Sequence, residues 1–296
     1  MTIGASLAVG WWNTGLTRPG AVQIAHSSSR LAAATTVIHA LLSDLPVLVL
    51  GEVTADDVEQ LLAEYPEKRR LARIFSGRRN MAVLYDTRYV ANLDLPTEFT
   101  HRDGQQDIGI GWYVKLSIGR DLFHVIAVHW PSRRVDGNRR VRYRCGVHLK
   151  TKIDQLVEQT PRTRIIVIGD FNDEPFDDSL CDALRATRDR NAAKRSAALL
   201  YNPFWRVLGE YAARHDTPLG AGTHFYTRNH DTSWYTLDQA IVSSSLVQGS
   251  GWTLAELATN VLPVQQLLTK SGNMSLNFDH LPIVIAFECL AEKGVS

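Results

Sequence analysis

The sequence lacks the features that would mark a disulfide-bonded, zinc-ribbon or membrane-embedded protein. Its 296 residues hold three cysteines, Cys145, Cys181 and Cys289, odd in number and far apart. None forms a C-x-x-C pair, so neither a disulfide framework nor a zinc site is indicated, and a reducing cytoplasm is the expected location. The longest apolar runs, such as Leu45–Leu50 and Leu281–Phe287, are strand-sized. They fall far short of the roughly 20 residues that span a membrane. The N-terminus has no basic region ahead of its short apolar stretch and does not read as a signal peptide. The net charge is only +1, so any attraction to phosphate must come from local clustering. There is no internal repeat, low-complexity tract or Gly/Pro/Ser-rich linker. What remains, 45% hydrophobic and 21% charged, is the composition of a soluble globular chain able to bury a core.

Short apolar runs of strand character recur along the chain. They include Ser6–Trp11, Val47–Leu50, Met81–Tyr85, Gly111–Ile118, Leu122–His129, Ile165–Ile168, Leu237–Val242 and Ile283–Phe287. Helical patterns occupy Ser27–Leu42, Thr54–Ala63 with a Thr cap, and the long basic stretch Asn138–Glu158. Strands outnumber helices and several follow one another through short turns. That predicts antiparallel-rich sheets with helices outside, not a doubly wound parallel sheet. The reading is one α/β domain over 1–296. Ala186–Ala221 is the least regular stretch and is read as an insertion near a functional rim.

Polar residues stand at the ends of these runs. In Ile165–Asn172 (IIVIGDFN) a buried strand ends in Gly, and extended backbone would send Asp170 and Asn172 to the same side. An acid and an amide there are costly to bury unless a hard cation or a phosphate satisfies them, although both residue types are also common in strand-end turns. Asp279 and His280 precede the run Leu281–Phe287, pairing a possible metal ligand with a side chain that changes protonation near neutral pH. Asn13, Glu52, His129 and Asp238 each flank another apolar run. Any one of these could be a structural cap. Together they mark one rim of a scaffold, where sites are built.

Six strings carry a resemblance: WNTGL at Trp12–Leu16, LGEV at Leu50–Val53, AVHWPS at Ala127–Ser132, IGDFNDEP at Ile168–Pro175, LDQAIVS at Leu237–Ser243 and FDHLP at Phe278–Pro282. In this order, and over nearly the whole chain, the sequence resembles the endonuclease/exonuclease/phosphatase superfamily. The resemblance implies the deoxyribonuclease I-like fold, a four-layered α/β sandwich of two mostly antiparallel β-sheets flanked by helices. It implies a divalent-metal-dependent phosphodiesterase, with Glu52 as main metal ligand helped by Asn13, and Asp279 in the metal and phosphate region. Asp170 and Asn172 would position or activate water. His280, oriented by Asp238, would bind phosphate or act as general base, and His129 would contact the phosphate or the leaving oxygen. An all-oxygen donor set favours Mg²⁺ or Mn²⁺ over zinc. Two positions depart from the family's pattern: Phe278 stands where Ser or Thr is frequent, and Gln239 where Tyr or His is. Both departures are expected to bear on substrate.

The substrate is less defined. Between Ser132 and Lys152 the chain carries eight basic residues, Arg133, Arg134, Arg139, Arg140, Arg142, Arg144, Lys150 and Lys152, opposed only by Asp136. Such clustering suits phosphate recognition and favours DNA or RNA; a solvated helix face is the plainer alternative. Arg133 and Arg134, with Trp130 as a stacking platform beside His129, are the expected substrate contacts. The aromatic group Tyr201, Phe204, Trp205, Phe225, Tyr226, Trp234 and Tyr235 reads mainly as core. Two rivals remain at this point: the same chemistry on a small, inositol or lipid phosphoester, and a non-catalytic binding protein on the same fold.

Overall fold

The computed structural model describes residues 3–19, 26–103, 106–135, 137–160, 162–209, 222–226, 233–249, 251–269, 273–276 and 278–290. Asp136, Asn277 and residues 210–221 of the irregular stretch lie outside the described residues. Among the described residues, the strands build two large mixed sheets. One sheet runs in the order Gly251–Leu254, Ile283–Leu290, Ile3–Asn13, Val47–Gly51, Met81–Asp86, Leu71–Ser76. The other runs Ala186–Thr187, Leu200–Tyr201, Asp238–Ser243, Arg164–Asp170, Asp121–His129, Gln106–Ile118, Val90–Asn92. Most pairings are antiparallel. Two central ones, Ile3–Asn13 with Val47–Gly51 and Asp121–His129 with Arg164–Asp170, are parallel.

The layering follows from which side chains each strand sends where. Val47, Val49, Ile166 and Ile168 meet between the sheets, with Trp11, Trp112 and Val125. Leu48 and Leu50 point the other way, onto helices Ser28–Asp44 and Ala55–Leu61 through Ile38, Leu41 and Val58. Ile165 and Val167 likewise face helix Asn138–Gln159 through Cys145, Leu149 and Ile153. The result is helix, sheet, sheet, helix, a four-layered α/β sandwich. Both faces of each central strand are covered, so these strands read as unbroken apolar runs instead of alternating ones. Each fully buried Val, Leu or Ile contributes about 1.5–3 kcal/mol, and a one-residue slip would exchange the two faces.

The helices begin where the sequence signals them. The Ser27 hydroxyl accepts the Arg30 amide, and helix Ser28–Asp44 buries Ala34, Val37, Ile38, Leu41 and Leu42, the spacing of one helical face. Thr54 and Asp57 form a reciprocal capping box. Several strands escape the pattern reading, the longest being Leu71–Ser76 and Thr97–Asp103. Both are partly exposed and carry charged residues, which weakens the period-two signal. The described part of 186–221 is more regular than expected. Its short strands extend one sheet edge, and Asp189 caps a helix at Arg190–Arg195.

Candidate active site

Side-chain parity delivers the polar residues to one place. Residues 9 and 11, 125 and 127, 166 and 168, and 240 and 242 all face the inter-sheet core. Asn13, His129, Asp170 and Asp238 continue those four rows to the strand ends. The registers bring them abreast: His129 and Asp238 both pair with Asp170, and Asn13 pairs with Gly51, the residue before Glu52. Gly169 is required by this packing. Its φ is +151°, and a Cβ there would lie 2.0 Å from the Val128 carbonyl oxygen. Glu52 and Asn172 have φ of 55° and 52°. Such left-handed backbone is uncommon outside Gly, especially for Glu, and tends to persist at functional sites. Asn172 therefore reaches the site by a turn after Asp170, not by the extended alternation expected of it.

Adjacent tryptophans brace the site from opposite faces of one strand. Trp11 donates its indole N–H to Asp238 Oδ1 at 2.7 Å, and Trp12 donates to the His280 carbonyl at 3.1 Å. The other Asp238 oxygen lies 2.7 Å from His280 Nδ1. With that nitrogen engaged, His280 Nε2 is 3.9 Å from Asp170 Oδ2 and 4.0 Å from Asp279 Oδ1. Asp170 accepts the Asn172 amide at 2.8 Å and Asn13 Nδ2 at 3.3 Å, while Asn172 Nδ2 donates to the Trp130 carbonyl. Glu52 sits beside His129 Nε2 (3.6 Å) and Arg18 Nε (3.7 Å). Arg18 also reaches Asp279, its Nη2 4.0 Å from Oδ2.

Burial and crowding set the protonation states. Burial, then the Asp238 charge, pushes Asp170 up to about 8, and burial also raises Glu52. Burial disfavours the His280 imidazolium, but Asp238, with Asp279 and Asp170, outweighs it and lifts His280 to about 10. Burial, reinforced by His280, pushes His129 down to about 4 and His224 to about 3. Asp279 resists the upward effect of burial and stays below its usual range because His280, His224 and Arg18 surround it. The site thus holds one imidazolium, two neutral imidazoles and a carboxyl poised near neutrality.

These groups open into a cleft of about 570 Å³ lined by Glu52, His129, Asp170, Asn172, Asp279 and His280, with Arg18, Arg133, Arg134, His224, Tyr226 and Tyr235 around them. Residues 97–280 match the Endonuclease/Exonuclease/phosphatase family. The chain belongs to that family. No curated protein matches the sequence. Solved structures share the fold. The catalytic domain of human Nocturnin with bound sulfate is 18% identical with a TM-score of 0.61, covering 96% of this chain and 95% of that one. D. rerio TDP2 complexed with single strand DNA product is 14% identical with a TM-score of 0.62, covering 96% and 99%. A functionally unknown conserved protein from Enterococcus faecalis is 14% identical with a TM-score of 0.59, covering 96% and 100%.

Within this family frame, the eight polar residues singled out in the sequence are brought together, but not all face the cleft. Asn13 and Asp238 are buried behind it and act on the lining residues. Trp130 is a correction. It is 1% exposed, packs edge-on against Phe171 and donates to the Ile110 carbonyl, so it cannot stack a base. Phe278 and Gln239 are corrected too. Phe278 is buried against Trp12, and Gln239 bonds Asn202 and the carbonyls of Asp173 and Thr236, so neither faces substrate. The basic run largely disperses. Arg142 is buried on Asp173, Arg139 pairs with Asp178 and Lys150 with Asp154. Only Arg133 and Arg134 of that run line the cleft, over the rings of Tyr235 and Tyr226.

Three residues went unread in the sequence. Arg18 and Arg30 lie beyond the WNTGL string, with Arg30 Nη2 on the Gly15 carbonyl and its ring contact to Phe278. His224 stands 4.6 Å from the His280 ring. Its only signal was a His upstream of the run that opens with Leu237 and Asp238, in a stretch too irregular to phase.

Proposed function

We propose that the protein is a divalent-metal-dependent phosphodiesterase acting on nucleic acid, with Mg²⁺ or Mn²⁺ as the ion. The observation that carries this reading is the buried relay Asp238–His280 aimed at Asp170 within a cleft that also holds Glu52 and Asp279. The donors suit a hard cation. Glu52 is a buried carboxylate whose cationic neighbour Arg18 stands back at 3.7 Å, with neutral His129 at 3.6 Å, and burial leaves it poorly solvated. Glu52 and Asp279 would hold the ion, and Asn13 would steady Glu52 and Asp170 from behind. When bound, the ion would supply charge neutralisation at the phosphoryl oxygens.

The chain's own residues supply the rest. Asp170, poised near neutral pH, takes a proton from the attacking water, and Asn172 orients that water. His280, kept protonated by Asp238, donates through Nε2 to a phosphoryl oxygen, acting as electrostatic stabiliser rather than general base. His129, neutral, contacts the leaving oxygen. Arg133 and Arg134 bind the flanking phosphate. Three unpaired cysteines, Cys145, Cys181 and Cys289, suit a cytoplasmic location.

One observation favours a smaller substrate as second reading. Arg133 already faces Glu174 and Asp177, at 3.9 and 3.6 Å, and most of the basic run is engaged elsewhere. The positive surface at the cleft is therefore narrow and fits one or two phosphates. A cleavage assay with Mg²⁺, Mn²⁺ or EDTA separates the readings, using plasmid DNA, single-stranded DNA, RNA, inositol phosphates, sphingomyelin vesicles and p-nitrophenyl phosphate esters. Metal-dependent strand cleavage absent from His280→Ala supports the first. Turnover of small or lipid esters alone supports the second, and silence on every substrate leaves a non-catalytic binding protein.

A further inference from the structure

Beside the oxygen donors, the cleft carries a donor set of different chemistry. His224, Asp279 and His280 each offer a ligand atom, and these atoms lie within 4.8 Å of one another. The arrangement is built into the backbone. His224 and His280 form an isolated β-bridge, and the Phe225 amide donates to the Asp279 carbonyl at 2.7 Å. His224 is only 9% exposed, lines the cleft, and its Nδ1 has no hydrogen-bond partner among the described residues. Such an orphaned buried nitrogen is costly unless something binds it. His280 has its Nδ1 fixed by Asp238, which leaves Nε2 between Asp170 Oδ2 at 3.9 Å and Asp279 Oδ1 at 4.0 Å. A buried carboxylate on the outer nitrogen is the usual partner of a metal-ligating histidine.

Two imidazole nitrogens and one carboxylate oxygen suit a borderline ion with an open fourth position, whereas Mg²⁺ and Mn²⁺ prefer oxygen. We propose that His224, Asp279 and His280 form a second cation site, selective for an ion such as Zn²⁺, whose filling inhibits hydrolysis. An ion bound there occupies His280 Nε2 and so removes that nitrogen from the phosphoryl group. The inhibitory consequence rests on the function proposed for His280; the binding itself does not.

The test titrates the full-length protein, saturated with Mg²⁺, with Zn²⁺ by calorimetry and with Co²⁺ by visible absorption. The expected result is one tight site with nitrogen-ligand Co²⁺ bands. His224→Gln should lose the bands and weaken Zn²⁺ by at least about 100-fold, the upper end of what loss of an outer-shell partner costs. His148→Gln, which alters the stacked His101–His148 pair elsewhere in the fold, should change nothing. Anomalous scattering from zinc-soaked wild-type crystals needs no variant and should peak between His224 and His280. The proposal is overturned by wild-type Zn²⁺ affinity in His224→Gln, by loss of binding in His148→Gln, by an anomalous peak elsewhere, or by complete displacement of Zn²⁺ by Mg²⁺. Absent turnover with intact Zn²⁺ binding would sink only the hydrolytic reading, and a silent titration with normal turnover only this one.

Discussion

Asp170→Asn should make the metal-free protein more stable at neutral pH while abolishing its turnover. An aspartate in an unfolded chain ionises near pH 4, but in the fold burial and the neighbouring Asp238 delay ionisation of Asp170 to about 8. Between these values the folded protein holds a proton that the unfolded chain has released, so this residue's contribution to stability falls as pH rises. At pH 7 the penalty reaches at most about 4 kcal/mol, from roughly three pH units at 1.36 kcal/mol each. An asparagine side chain keeps the acceptor for the Asn172 amide but presents a donor to Asn13 Nδ2, now 3.3 Å from the second oxygen. That mismatch costs about 1–3 kcal/mol. The balance at pH 7 is a gain of about 1–3 kcal/mol, a rise in Tm of about 2–10 °C for a chain of this size. Near pH 4.5 the penalty has nearly vanished and the variant should be the less stable. Calorimetry in EDTA at both pH values checks this, with cleavage in Mg²⁺ measured alongside. A variant less stable at both, or by a pH-independent margin, would refute the reasoning and mean that Asp170 is held as a satisfied carboxylate without metal.

His280→Gln should lower kcat by about 10²–10³-fold, the scale of losing one donor to a developing oxyanion, checked against a melting curve showing that the protein still folds. His280 also predicts a pH effect: its folded-state pKa of about 10 exceeds the unfolded value near 6.5. Its stabilising contribution is therefore full below about pH 6.5 and lost as pH rises to about 10, a loss that His280→Gln should abolish in pH-dependent melts. Arg18→Ala should tighten Mg²⁺ binding by about two- to fivefold, the scale of an exposed ion pair, because Arg18 lies across Glu52 and Asp279; isothermal titration reads this, and weaker binding would show Arg18 to be no competitor of the ion. Arg133→Ala with Arg134→Ala should reduce the slope of log affinity for single-stranded DNA against log salt by up to about 1.4. An unchanged slope would remove both from the phosphate path.

The sequence by itself determined the strands with helices outside them and singled out eight polar residues that the fold brings together. Apolar runs such as Ile165–Ile168 needed cover on both faces, the Ser27 and Thr54 caps started helices where they stand, and the six ordered strings named the polar strand ends. These features are local, because period, cap and strand end are written within a few residues. Tertiary structure decided everything that depends on long-range registry. The pairing of Asp170 with both His129 and Asp238 joins segments more than 40 residues apart, and no local pattern states it. Neighbourhood also fixed the fate of Trp130, which only the packing of Phe171 shows to be core. It divided the arginines between ion pairs and cleft, and it brought His224 from an unphased stretch against His280. The protonation states came last, since burial and the charges gathered around a group, not its identity, separate an Asp170 near 8 from an Asp279 held low.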